Sequence, residues 1–300
     1  MNKNLPLPSS PHSISTTISS WLSGRKPNTA RVYARAYEDL CTRLDLSLES
    51  PYILEVDIVT VRAYLELLTR GGLSHNTIAT TFSALRSLWD YFSALGMVST
   101  NPWSVKTVKV SHKPQNPTPG LSIDEVGALL ASINPSSSKD LQDYAALAVF
   151  LSTSMRQMEL LNLATDDIRT EGGRIILRCH GETTKNGKTR EVPLPEWAAL
   201  ALSSHLKASP PQEGGRLFKI SPRHLRRRIV DLMHKAGIKG RSVHSLRVTA
   251  ITEALRQGAG HYEVQAMSGH SSVQMVERYD RRRVAVEENP SLKLTYKKPD

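Results

Sequence analysis

The 300-residue sequence contains only two cysteines, Cys41 and Cys179, far apart in the chain. Neither has metal-ligand spacing, and two thiols cannot build a disulfide framework, so a small stapled secreted scaffold is excluded. Long apolar runs are also missing. The longest, Tyr144 to Leu151, has eight residues, well short of the roughly 20 that span a bilayer. The opening MNKNLPLPSSPHSISTTISS has no hydrophobic centre and is not a secretory signal. A reducing cytoplasm is the expected setting, with no membrane partner. Carboxylates are scarce, 28 Asp and Glu against 39 Lys and Arg, which leaves a net charge of +11. They form no cluster suited to a pair of metal ions, so no metal and no other cofactor is expected. No repeat and no low-complexity tract stands out.

The 39% hydrophobic and 22% charged content is ordinary for a globular protein, and the length suggests two domains. The charge is uneven. From Pro211 to Asp300 there are 18 Lys and Arg against 9 Asp and Glu, so the last third carries +9 of the excess. That suits a polyanion, most often nucleic acid.

Residues 1–13, rich in Pro, Ser and Asn, read as a disordered tail. Residues 14–100 read as a helical domain. One helix begins at Asn28 with Tyr33, Tyr37, Leu40 and Leu44 on a stripe. A second is capped by Asp57 and stopped at Gly71-Gly72, and a third runs from His75 to Ala94. Residues 101–120 carry four prolines and four basic side chains, counting His112, and read as a basic linker. A second domain over 121–284 opens on the capping box Ser122-Ile-Asp-Glu125. In it, RIILRC (174–179) and TREVPL (189–194) flank the turn signal Asn186-Gly187, a hairpin pattern. Helices are expected at 140–152, 195–206 and 222–236. The fold class is thus mainly α with a small antiparallel β-sheet. Residues 285–300 form a tail. Arg25, Arg31 and Arg35 on the first domain, and Arg226 and Arg227 on the helix opening at Pro222, are candidate DNA contacts; a solvated face is the alternative.

The chemistry concentrates between Val243 and Arg283. His244 and Arg247, three residues apart, share one face of a helix. Glycines 258, 260 and 269 break the pattern before His270, and Tyr279 follows on a short helix expected over 272–283. His, Arg, His and Tyr around one pocket suit transfer of a phosphodiester to tyrosine. A phenol, with an ordinary pKa near 10, needs help to lose its proton. Guanidinium groups meet the charge that gathers on phosphorus, and histidines exchange protons near pH 7. Upstream, Arg156 precedes Glu159 by three residues among Met155, Met158, Leu160 and Leu161. The pair is either a local ion pair or an arginine oriented by a buried carboxylate toward a phosphate. Lys185 or Lys188 near the hairpin tip could protonate a departing alkoxide.

These motifs, in this order, resemble the tyrosine recombinases, or phage-type integrases, over residues 14–283. Thr153-Ser-Met-Arg156-Gln-Met-Glu159-Leu-Leu-Asn-Leu resembles the family's TGLRxSELLxL. The hairpin resembles TKNGKxRxVPL, His244-Ser-Leu-Arg247 matches HxLR, and Ser268-Gly-His270 to Tyr279 resembles LGHSSxxxTxxY. The chain departs at Ser154-Met155, where Gly-Leu is common, at Ser268, often Leu, and at Val276, often Thr. The resemblance implies a helical core-binding (SAM-like) domain and an α+β catalytic domain that close around DNA. It implies that Tyr279 attacks the scissile phosphate to form a 3′-phosphotyrosyl bond. Arg156 and Arg247 would clamp the nonbridging oxygens, and Lys185 would protonate the leaving 5′ oxygen. His244 would assist proton transfer, His270 would hydrogen-bond the phosphate, and Glu159 would support the pocket. The implied partners are double-stranded DNA with specific target sites and a homo-tetramer on two duplexes, a dimer at each site, with accessory proteins as a further option. The C-terminal tail would dock on a neighbouring protomer. A type IB topoisomerase-like nicking-closing enzyme and a non-catalytic architectural DNA-binding protein are the alternatives.

Overall fold

The computed structural model describes residues 13–106, 108, 110, 118–180 and 189–280. The expected disordered tail, Lys185, Lys188, the hairpin tip, Arg281 to Arg283 and the C-terminal tail lie outside the described residues. The chain divides into two compact units, Met1–Gln115 and Asn116–Asp300.

The first unit holds helices α1 (Ile14–Ser23), α2 (Pro27–Arg43), α3 (Ile58–Arg70) and α4 (His75–Ala94). Side-chain caps fix three of the starts: Ser13 accepts from Thr16 N, Asp57 from Thr60 N, and Ser74 from Thr77 N. Helix α1, an addition to the expected helices, buries Ile14 and Trp21. The stretch expected to be a linker is not free chain at its start. Trp103 is fully buried, with its indole 5.6 to 6.0 Å from the rings of Tyr64, Phe82 and Trp89. Asn101 pins it there, accepting from Trp103 N and donating to Arg86 O and Asp90 Oδ1. Proline density suggested a tether, but one indole offers more apolar surface to a core than such a segment usually carries.

In the second unit, α5 (Ile123–Ala131) begins on the expected box, with Ser122 and Glu125 capping each other's backbone N–H groups. Helix α6 (Ser138–Thr153) is the central element, fully buried from Ala145 to Phe150. It packs against α8 (Glu196–Ala208) and α10 (Val243–Arg256). Burial on all sides explains why its sequence is an apolar run rather than a stripe. Strands β1 (Ile168–Glu171), β2 (Arg174–Cys179) and β3 (Arg190–Pro193) form an antiparallel sheet in that order. Leu177 pairs with Val192 and Cys179 with Arg190. The remaining helices are α7 (Gln157–Asn162), α9 (Pro222–Lys235), α11 (His261–Ser268) and α12 (Val273–Glu277). Helix α12 is shorter than the sequence suggested. Tyr279 sits just past it, in a turn where its N–H donates to Val276 O. Both cysteines are buried and free, and no described helix is long and apolar enough to cross a membrane.

Candidate active site

A single carboxylate organises the pocket. Glu159, in the first turn of α7, is 2% exposed. Its Oε1 accepts from Arg156 Nη1 at 2.7 Å. Its Oε2 accepts from Arg190 Nη2 at 2.6 Å and from the Arg156 backbone N–H at 2.9 Å. Of the two readings left open for Arg156 and Glu159, the local ion pair is present, but the carboxylate is shared with an arginine from the sheet. The sequence neighbours of Glu159, Met155, Leu160 and Leu161, are buried, whereas Met158 is exposed. Burial pushes the Glu159 carboxyl up, but the hydrogen bond and charge of Arg190, with Arg156, outweigh it and hold the group below its usual range.

Arg190 was not among the expected site residues. Its guanidinium also donates from Nε to Met267 O at 3.0 Å, joining β3 to the end of α11. A signal existed in the sequence. Strand alternation puts Arg190 on the same face as Val192 and Leu194, both buried, and an arginine on a strand's inward face needs a reason. The next turn is shaped around it. Gly269 has a φ of +65°, and a Cβ there would lie 2.8 Å from Arg190 Nη1, so any side chain would be both strained and in collision.

Arg247 and His244 come from the first turns of α10. Arg247 is 2% exposed; it donates from Nη1 to Ser154 O and from Nη2 to His270 Nε2 at 3.1 Å. Burial, then the charge of Arg156, lowers its pKa to about 10. Ser154, the C-cap of α6, holds the left-handed conformation at φ 54°. This is the position where the resemblance expects glycine. His270 is buried, with Nδ1 2.8 Å from Ser268 Oγ. Burial and the charges of Arg247, Arg156 and Arg190 lower its pKa to about 4. The His244 pKa is lowered by desolvation and by Arg247 and Arg156. Lost hydration is the larger cause and the two guanidinium charges add to it, although part of the residue remains exposed.

The ring of Tyr279 stacks on that of His270, with centroids 5.7 Å apart and planes at 26°. A small apolar cluster of Ile251, Leu255, Val264 and Val276 supports it. The following residue, Asp280, binds His261 Nε2 at 2.8 Å. Tyr279 also lines a cleft of about 330 Å³ with Gly120, Arg241, Val248 and Arg278. Arg156, Glu159, His244, Arg247, His270 and Tyr279 therefore meet within one unit.

The expected DNA contacts differ among themselves. Arg25 is turned into the packing of the first unit. It donates to Trp21 O and Ser87 Oγ, and lies over the rings of Trp21 and Tyr33 at 4.7 and 5.0 Å. Arg31, bonded to Asn28, and Arg35 are exposed on α2. Arg226 and Arg227 are exposed on α9, while their neighbour Arg228 pairs with the buried Asp143 at 2.7 Å.

Comparison with known proteins bears on the fold and the family. The chain is 29% identical over 262 residues to the tyrosine recombinase XerC of Pelobacter propionicus, covering 84% of each chain. Its fold is similar to that of the XerH site-specific recombinase bound to a palindromic difH substrate in a post-cleavage complex. There the TM-score is 0.70 and the identity 20%, over 89% of this chain and 80% of the other. It is also similar to the Tn1549 transposon integrase in complex with transposon right end DNA, with a TM-score of 0.72 and 17% identity over 94% and 98%. The sequence profile of the phage integrase family matches residues 120–285, more than half of the chain, and the protein belongs to that family.

Proposed function

We propose that the protein is a site-specific DNA recombinase that breaks and rejoins strands through Tyr279. The observation that carries this reading is the charge balance of the pocket. Three guanidinium groups, Arg156, Arg190 and Arg247, meet one carboxylate, Glu159. Two positive charges are left in a largely buried place, where an uncompensated charge is costly. A phosphodiester brings one negative charge, and the five-coordinate phosphorus formed on attack brings two. The pocket thus matches the transition state better than the ground state.

The Tyr279 oxygen attacks phosphorus and loses its proton toward His244, the histidine with solvent access. The bond from phosphorus to the 5′ oxygen breaks as that oxygen takes a proton, in this reading from Lys185. The product is a tyrosine phosphodiester on the 3′ end. Attack by the 5′ hydroxyl of a second strand reverses the steps and restores the DNA backbone. One ester replaces another, so no nucleotide cofactor is consumed. Arg31, Arg35, Arg226 and Arg227 would meet the duplex backbone, and four protomers would exchange strands between two duplexes. The similar recombinase bound to difH and the similar integrase bound to a transposon end support a defined target sequence.

The test is covalent trapping. The full chain is mixed with genomic fragments and denatured, and protein-linked DNA is sequenced, with and without chelator. The expected result is one recurring attachment sequence, retained in chelator and lost in Tyr279→Phe. Adducts that persist in Tyr279→Phe, or attachment at random sequences, would overturn the reading.

A further inference from the structure

We propose that Ser268 is a positioning residue: it fixes the proton of His270 on Nδ1 and so keeps Nε2 as the acceptor that orients Arg247. Its mechanistic weight rests on the recombinase reading, but the proton assignment does not.

Three buried side chains form a line. Arg247 Nη2 lies 3.1 Å from His270 Nε2, and His270 Nδ1 lies 2.8 Å from Ser268 Oγ. Arg247, His270 and Ser268 are 2%, 7% and 0% exposed, so water does not compete freely for these bonds. A guanidinium has only donors. Nε2 must therefore present its lone pair to Arg247, and a neutral ring then carries its proton on Nδ1. Ser268 Oγ accepts that proton, and its own hydroxyl points toward Gln265 O at 3.5 Å. A doubly protonated ring would set N–H against N–H at Arg247. Arg156, Arg190 and His244 add to the opposing charge, and the ring's pKa of about 4 agrees. The Gln265 side chain holds the backbone that carries the ring, its Nε2 donating to His270 O at 3.2 Å.

Leucine, common at this position in the sequences that the chain resembles, has no acceptor for Nδ1. Serine gives the Nδ1–H a partner and so holds the ring in the tautomer that Arg247 requires. The consequence changes the role expected of His270. Held this way, the neutral ring offers no proton to a phosphate; it steers the guanidinium that does. Donation from Nε2 would require a second proton or release of Ser268.

The experiment is long-range 1H–15N correlation on full-length protein labelled with 15N-histidine, without DNA, at pH 7, with His270 assigned by its loss in His270→Gln. The expected wild-type pattern is a protonated Nδ1 and a bare Nε2. Ser268→Ala should draw the two nitrogen resonances toward each other as the other tautomer enters, and Ser268→Thr should restore the wild-type pattern. A wild-type ring protonated on Nε2, or a Ser268→Ala spectrum identical to wild type, would overturn the proposal. The readout does not involve strand cleavage, so it stands or falls separately from the trapping of covalent adducts.

Discussion

Replacing Ser154 by glycine should make the protein more stable while leaving the site intact. Ser154 caps α6 at φ 54°, a conformation that costs a residue with a Cβ roughly 1–2 kcal/mol. Its hydroxyl is buried without a hydrogen-bond partner among the described residues, a further cost of about 1–3 kcal/mol. Against this, glycine loses about 0.5–1 kcal/mol more chain entropy on folding. The net is a gain of about 1–2 kcal/mol, taking the low end of each term. For a unit of this size that raises the melting temperature by roughly 2–8 °C. The assay is differential scanning calorimetry of full-length wild type and Ser154→Gly. Arg247 is held by the carbonyl of residue 154 and not by its side chain, so formation of covalent DNA adducts should persist. An unchanged or lowered melting temperature would refute the reasoning.

Three further outcomes are expected. Glu159→Ala leaves Arg156 and Arg190 facing each other without their shared carboxylate. It should cost about 3–5 kcal/mol in denaturant unfolding, as loss of one partner from a buried ion pair does. Trp103→Ala should cost the first unit about 3–5 kcal/mol, read as a lowered urea midpoint; a loss below 1 kcal/mol would restore the tether reading. His270 has a folded pKa of about 4 against an ordinary 6.5. The unfolded chain therefore binds the proton first, so stability is full above pH 6.5 and falls as pH drops toward 4, by up to about 3 kcal/mol. His270→Gln should flatten that slope in melting curves taken across the range.

Patterns that depend on local chemistry were legible in the sequence. The caps at Asp57 and Ser122, the span His75–Ala94 and the pairing of β2 with β3 all follow from short-range rules. So did the meeting of Arg156, His244, Arg247, His270 and Tyr279, because the motif order carried the resemblance. What depends on long-range packing was not. Strand β1, with three of its four residues exposed, has no apolar alternation to announce it. Trp103 looked like linker because its partners lie on α3 and α4. Arg25 looked like a DNA contact because two of its partners, Tyr33 and Ser87, lie on α2 and α4, although the other ring it faces, Trp21, is only four residues away. Arg190 is the instructive case, since its inward position could be counted, but its bond to Glu159 joins residues 31 apart.

Two of the pocket's cations are gripped by main-chain oxygens, Arg247 by that of Ser154 and Arg190 by that of Met267. A carbonyl is present whatever residue supplies it. Substitutions at 154 and 267 can therefore drift so long as the local backbone path survives, and the anchoring of both arginines is inherited from the course of the chain.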